Sequence, residues 1–389
     1  MCSASLVLVP CEPWSVVGSR GDEAMIYAIL RDFRSRHPDG RITIVTGRES
    51  AANTEDARRV ADDFDVVFNH AWRPRFFLSN IVRAIEDAAA TEVYVLGADC
   101  MDGHYSVYTS LILLAVADLA SRMGIKTSLT GFSWNDAPHP MVVRAFRRVS
   151  NALSIVIRDP DSFVRFTSCV RLPDQISPLQ AADVAFCLEP KSTDVVRGEL
   201  DVLNEERLRG NVVMGFNIHS LLVGPDDQIP FCGMVADAIA DFMVRRRKVF
   251  LAFIPHDYRD GGDLSVLNAV YQRLPEALKH RIHIVSSVMS AEELKALAGG
   301  LDVLFTARMH LGIAALGMGK PIAAFAYQGK FTGLFKLFHL DEKLILNPAE
   351  GGRLADVLCS LVDGQGLFSK VVLERLLLVN EMSRVNLIG

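Results

Sequence analysis

Short apolar runs rich in β-branched residues alternate along the chain with longer segments of helical spacing, and this alternation leaves few folds open. In the first half the runs fall at 6–10, 42–46, 66–69, 93–97, 126–130, 155–158 and 184–188. Strands and helices in this rhythm build a parallel sheet covered on both faces. A polar interval at 189–210, EPKSTDVVRGELDVLNEERLRG, then reads as a linker with some helix. Beyond it the rhythm restarts, with runs at 212–217, 249–254, 283–286, 303–306 and 322–327. At 389 residues the chain is long enough for two domains of about 150 to 200 residues. The expectation is an α/β protein of two Rossmann-like doubly wound domains facing across a cleft, residues 1–195 and 205–350. Helices are expected in 351–389, where LADVLCSLV and VVLERLLLV carry helical apolar spacing.

Composition narrows the function classes. Half the residues are apolar and 22% are charged, which suits an ordered globular chain. A net charge of −5 supplies no overall positive field, so nucleic acid is not an expected partner. The seven cysteines are odd in number, scattered and never spaced as CxxC, which suggests neither a disulfide framework nor a zinc site. The N-terminal MCSASLVLVPCEPW has no basic leader, and its short apolar run reads as a strand, so a cytoplasmic protein is expected. The most apolar stretch, 107–120, is interrupted by Ser110 and Asp118 and is too short to span a bilayer; it reads as a buried helix.

In doubly wound sheets ligands bind at the carboxyl ends of strands, so polar residues just beyond the apolar runs matter most. The first such segment is GSRGDEAMIYAIL, 18–30, whose glycines open a helix; Asp22 there is either a base or the helix cap. In VIRDPDSFVRF, 156–166, Arg158 closes a buried strand, and its planar guanidinium suits a carboxylate or phosphate; the alternative is an ion pair with Asp159 or Asp161. FIPHDYRDGGD, 253–263, sets His256 and Asp257 at a strand end, for catalysis or for capping a loop. The most informative segment is 304–335, LFTARMHLGIAALGMGKPIAAFAYQGKFTGLF, where two successive strands deliver Arg308, His310 and Lys330. Three basic groups at one mouth read as an anion clamp, against the alternative of scattered surface charge.

Taken in order, these residues resemble the polysaccharide pyruvyl transferase family. The resemblance rests on Gly21-Asp22 before a small-residue helix, Arg158-Asp159 with Ser162, the I-P-H-D strand end, and Arg308, His310, Gly319, Pro321, Tyr327 and Lys330. It covers most of the chain and implies a two-domain GT-B-like protein. Where the family often has a glycine-rich turn, this chain has LGADCMDGHYS, 96–106; Asp99 and Asp102 there either meet an acceptor's hydroxyls or a metal, or shape the turn themselves.

The resemblance implies transfer of the pyruvyl group of phosphoenolpyruvate onto two sugar hydroxyls as a ketal, on a polysaccharide or lipid-linked oligosaccharide. Arg158 and Arg308 would then hold the donor's carboxylate and phosphate, with Lys330 and His256 beside them. His310 would give the proton or hold phosphate, and Asp22 would act as base. No motif demands a metal or organic cofactor, and nothing in the sequence fixes an oligomeric state. Two other readings stay open: a GT-B glycosyltransferase using a nucleotide sugar, and a non-catalytic glycan-binding protein. The basic stretches 144–148 and 245–248 could touch an anionic membrane, or lie on solvated helix faces.

Overall fold

A computed structural model describes residues 4–12, 14–47, 49–72, 77–222, 227–259, 261–326 and 330–388. The chain divides into two compact units. The first comprises Met1–Gly18, Asp22–Leu188 and Val379–Gly389; the second comprises Ser19–Gly21 and Glu189–Leu378.

The first unit is built on a parallel sheet of β1 (Ser5–Val9), β2 (Arg41–Val45), β3 (Val66–Asn69), β4 (Glu92–Val95), β5 (Lys126–Phe132), β6 (Ser154–Ile157) and β7 (Leu179–Gln180). Their order is β3-β2-β1-β4-β5-β6-β7, so the winding reverses between β1 and β4. Every residue of β1 and β4 is buried, as expected of central parallel strands with helices on both faces. The apolar stretch at 107–120 lies in the helix Val107–Arg122, whose start is fixed by Ser106 Oγ accepting from Thr109 N at 3.2 Å.

The second unit repeats the construction with β8 (Val212–Phe216), β9 (Val249–Phe253), β10 (Ile282–Ile284), β11 (Val303–Thr306), β12 (Ile322–Phe325) and β13 (Ile345–Leu346). The order β10-β9-β8-β11-β12-β13 puts the reversal between β8 and β11. Phe216 of β8 stacks on Phe305 of β11, ring centroids 5.3 Å apart, and both side chains are fully buried. Truncating either ring would cost about 3–5 kcal/mol and loosen the two strand ends that flank the reversal.

One local expectation is corrected. The run at 184–188 is not a strand: Asp183 Oδ1 accepts from Ala185 N at 2.9 Å and caps a single 3-10 turn, Val184–Cys187. The seventh strand is β7, two exposed residues earlier in the chain. The polar interval is mostly one helix, Asp194–Leu208, capped by Thr193. The C-terminal helices are Leu354–Asp363 and Gln365–Arg384, and from Val379 onward the chain belongs to the first unit. Asn386 holds it there, with Oδ1 accepting from Gly131 N at 2.6 Å and Nδ2 donating to Ala182 O at 2.9 Å.

Among the described residues no helix is long and apolar enough to cross a membrane. In the basic stretch at 245–248, Arg245 pairs with Asp241 and Asp356, and Arg246 with Asp363. Much of its positive charge is thus met locally.

Candidate active site

At the carboxyl ends of β8, β9 and β11 the second unit gathers a connected polar network. Asn217 follows β8, His256 and Asp257 lie beyond β9, Asp263 opens the helix Asp263–Arg273, and Arg308 follows β11. Asp263 is fully buried and receives Arg308 Nη2 at 2.6 Å, Arg308 Nε at 3.1 Å, Asn217 Nδ2 at 2.9 Å and the His256 amide at 3.0 Å. Burying a carboxylate this deeply is costly unless hydrogen-bond donors of this kind surround it. Thr306 Oγ1 donates to Asn217 Oδ1 at 3.2 Å and accepts from the Arg308 amide at 3.0 Å, which ties the ends of β8 and β11 together.

Asp257 is shared by two arginines. Its Oδ2 receives Arg259 Nη2 at 2.6 Å and Arg308 Nη2 at 3.2 Å. Burial pushes its carboxyl up, but the hydrogen bonds from Arg259 and the charges of Arg308 and Arg259 hold it down at about 2. His256 is displaced in its own direction: burial, then the positive charges of Arg308, His310 and Arg20, drive its imidazole well below the ordinary value. It is therefore neutral near pH 7 and can exchange a hydrogen bond but adds no cation. Arg308 has no partner for Nη1 among the described residues, and its side chain keeps 18% exposure. Two aspartates already offset the charges of Arg308 and Arg259, so the mouth is a polarised network and not a bare cluster of cations.

His310 is the second residue of the helix Met309–Gly317 and is half-buried. Also within the second unit, a Cβ on Gly21 would lie 2.3 Å from His310 Nδ1, so any larger residue at that position of the Gly-Asp motif would push the His310 ring aside. Arg20 sits with its guanidinium carbon 5.3 Å from the centre of the Tyr258 ring. Lys330 opens the helix Lys330–Phe338, and its side chain lies outside the described residues, as does Tyr327.

In the first unit Arg158 follows β6 and is buried. Its Nε donates to Ser133 Oγ at 2.8 Å and its Nη1 to Asp183 Oδ2 at 2.9 Å, while Nη2 pairs with Asp99. Asp159, considered above as an ion-pair partner, caps the helix Pro160–Cys169 instead, with Oδ1 accepting from Ser162 N at 2.8 Å. Asp102 is also buried, and its two oxygens accept from the amides of His104 at 2.9 Å and Asn135 at 3.1 Å, the geometry of a turn-shaping carboxylate. Asp22 is not the helix cap, because the helix Arg20–Arg36 begins two residues earlier. Its Oδ1 accepts from the Cys11 thiol at 3.3 Å. A hydrogen bond with Cys100, burial and the charge of Asp22 raise the Cys11 thiol well above its usual value, so it stays a protonated donor. Cys11, Asp22 and Cys100 thereby meet near the reversal between β1 and β4.

The structure thus joins Arg308 and His256 in one network through Asp263, and Arg158 with Asp99 in another through direct pairing. Asp263, Asn217 and Asp183 were not foreseen. Asn217 could have been found, because it follows the first strand of the second unit, which always borders the reversal in this winding.

Two parallel sheets, each with its own reversal and with charged residues gathered at its strand ends, define a protein of two Rossmann-like domains of the GT-B kind. Solved structures share this fold at low identity. Alr3699/HepE of Anabaena, in complex with UDP-glucose, superposes with a TM-score of 0.57 at 12% identity over 98% of this chain and 96% of its own. The UDP-GlcNAc 2-epimerase of Neisseria meningitidis, bound to UDP-GlcNAc, gives 0.57 at 11% identity over 98% of each chain. A glycosyltransferase of Rickettsia africae ESF-5 gives 0.57 at 12% identity over 99% of each. None of the curated proteins matches the sequence. The chain belongs to the polysaccharide pyruvyl transferase family, whose model matches residues 20–329.

Proposed function

We propose that this enzyme moves the pyruvyl group of phosphoenolpyruvate onto two hydroxyls of one sugar in a polysaccharide or lipid-linked oligosaccharide, working in the cytoplasm. The family match carries the reading, since residues 20–329 take in every candidate side chain except Lys330. Ketal formation begins with a proton added to the methylene carbon of the donor, which becomes the methyl group. The adjoining carbon turns electrophilic, a first hydroxyl attacks it, phosphate departs, and the second hydroxyl closes the ring.

Arg308 suits the anionic donor because Asp257 and Asp263 fix its orientation while Nη1 points to no protein acceptor among the described residues. His310 and Lys330 are assigned to the same donor, His310 for proton transfer and Lys330 as a point charge on phosphate. Neutral His256 contributes a hydrogen bond. Asp22 is assigned as base for an incoming hydroxyl, its second oxygen bearing the thiol hydrogen bond from Cys11. Arg158 fits a positioning role, holding Asp99 at the acceptor side while its own charge is spent on Asp99 and Asp183.

The test is thermal melting with millimolar phosphoenolpyruvate, followed by phosphate release when a glycan acceptor is added. A rise in melting temperature and acceptor-dependent phosphate release are expected. A rise with UDP-glucose and none with phosphoenolpyruvate would sink the proposal in favour of a nucleotide-sugar enzyme.

A further inference from the structure

Trp14 stands in the loop between β1 and the helix Arg20–Arg36, near the carboxyl edge of the first sheet, and 48% of its surface is exposed. Its seat is specific. A Cβ on Gly47, just beyond β2, would lie 2.4 Å from Trp14 Cε3 and 2.6 Å from Cζ3, so the indole covers a backbone position that no other residue could occupy unchanged. Gly47 itself is buried beneath it.

The loop that presents the ring is strained. Val16 is held at φ 57°, a left-handed conformation that β-branched residues rarely adopt, and is 1% exposed. Burial of Val16 and Val17, with Val17 N donating to Ser15 O at 2.6 Å, over-determines this backbone. Strain of this kind gathers at ligand-holding segments. The same loop also gathers polar groups around Gly18. Glu12 Oε2, Asp22 Oδ2 and Ser15 Oγ lie 2.7, 2.9 and 2.9 Å from the position a Gly18 Cβ would take. On the other side of β2, Thr46 Oγ1 and His70 Nδ1 are 2.6 Å apart.

We infer that Trp14 is the stacking platform of a sugar-ring subsite, which takes the acceptor residue against the indole face while Glu12 and Asp22 receive its hydroxyls. A sugar presents a face of weakly positive C–H groups and a rim of hydroxyls. An electron-rich indole with carboxylates and hydroxyls beside it matches both. The inference rests on the pyruvyl-transfer reading for its acceptor, and it deepens that reading by naming where the sugar lies.

Trp72 and Trp134 are 4% and 1% exposed, so iodide quenching of tryptophan fluorescence reports on Trp14. Disaccharides containing galactose, glucose or N-acetylmannosamine, each at the limit of its solubility, are added to the full chain, with phosphoenolpyruvate and UDP as controls. Protection by at least one disaccharide and not by UDP, together with loss of the quenchable signal in Trp14→Phe, is expected. In transfer assays Trp14→Ala should raise the acceptor KM about tenfold or more with kcat and the phosphoenolpyruvate melting shift unchanged, and Trp14→Phe should recover most of it. Gly47→Ala, which displaces the ring without removing it, should follow Trp14→Ala. If phosphoenolpyruvate still raises the melting temperature but no disaccharide protects Trp14 and Trp14→Ala keeps its KM, the subsite is wrong and the reading stands. Protection by UDP in place of the disaccharides also overturns the subsite. Protection by a disaccharide with no response to phosphoenolpyruvate upholds the subsite and removes the donor.

Discussion

Arg158 and Arg308 each stand just beyond a parallel strand, and each is gripped by two aspartates, yet their surroundings assign them different work. Arg158 follows β6, separated from the β1–β4 reversal by β5, and is 3% exposed with Ser133, Asp99 and Asp183 on its three nitrogens. Arg308 follows β11, one of the two strands at the reversal of the second sheet, and keeps 18% exposure with Nη1 uncommitted among the described residues. A guanidinium far from the reversal and closed on every side has no nitrogen left for a ligand and can only hold its neighbours in place. One at the reversal with a nitrogen to spare can meet a ligand. What separates the two is strand order and the supply of acceptors, neither of which is visible in the local sequence around either arginine.

The contrast can be broken by removing each arginine in turn. Arg158→Ala leaves Asp183, 4% exposed, as a buried charge that has lost its cation, and the expected loss is about 3–5 kcal/mol in urea unfolding. The surviving folded fraction should still respond to phosphoenolpyruvate. Arg308→Ala should also cost stability, because buried Asp263 loses its cation, but unlike Arg158→Ala it should lower turnover by about 10²-fold or more, which is about 2.7 kcal/mol in barrier height, and abolish the donor's melting shift in the folded fraction. Arg308→Lys keeps the charge but loses the fork that spans Asp263 and Asp257, so it should recover more stability than turnover. If Arg158→Ala is as stable as wild type and loses the donor response, the two roles have been exchanged. A smaller effect sharpens the boundary of the Arg158 region. Asp159→Ala removes a helix cap next in sequence to Arg158 and should cost about 1 kcal/mol with the donor response intact.

The same contrast explains how far the sequence could be read. Strands of the central kind were legible because burial on both faces demands unbroken apolar runs, as in SLVLV of β1 and VLFT of β11. Of the edge strands, β3 and β10 match the runs at 66–69 and 283–286, but β7 and β13 were missed, because they have two residues each and Leu179–Gln180 is exposed. The run at 184–188 misled because its apolar residues are buried by a turn that Asp183 caps, and apolar content alone does not distinguish the two. Arg308 and His256 stood out as polar residues at strand ends. Their partner Asp263 did not, since it lies 45 residues from Arg308 and becomes its neighbour only once β8, β9 and β11 are adjacent. Asp102 and Asp99 looked alike in LGADCMDG, and only the backbone amides of His104 and Asn135 and the approach of Arg158 tell them apart.

An effect read as a slope in pH bears on the second network alone. His256 is buried among Arg308, His310 and Arg20, with Asp257 as the opposing charge, and its imidazole titrates well below the ordinary value. An unfolded chain takes up a proton there as pH falls through about 6.5, while the folded chain resists it, so stability from this residue is whole above that pH and drains away below it. Between pH 7 and pH 5 the loss should not exceed about 1.4 kcal/mol per pH unit. Asp257 does not confuse this window, because its carboxyl, held at about 2, gives up stability only below the ordinary carboxylate range. His256→Gln should flatten the dependence of melting temperature on pH over that interval while Arg158→Ala leaves its slope unchanged. An unaltered slope in His256→Gln would mean that the imidazole already protonates in the folded protein. The network around Arg308 would then hold one more positive charge than its two arginines supply, and His256 would join the donor-binding cations in place of serving as a neutral hydrogen-bonding group.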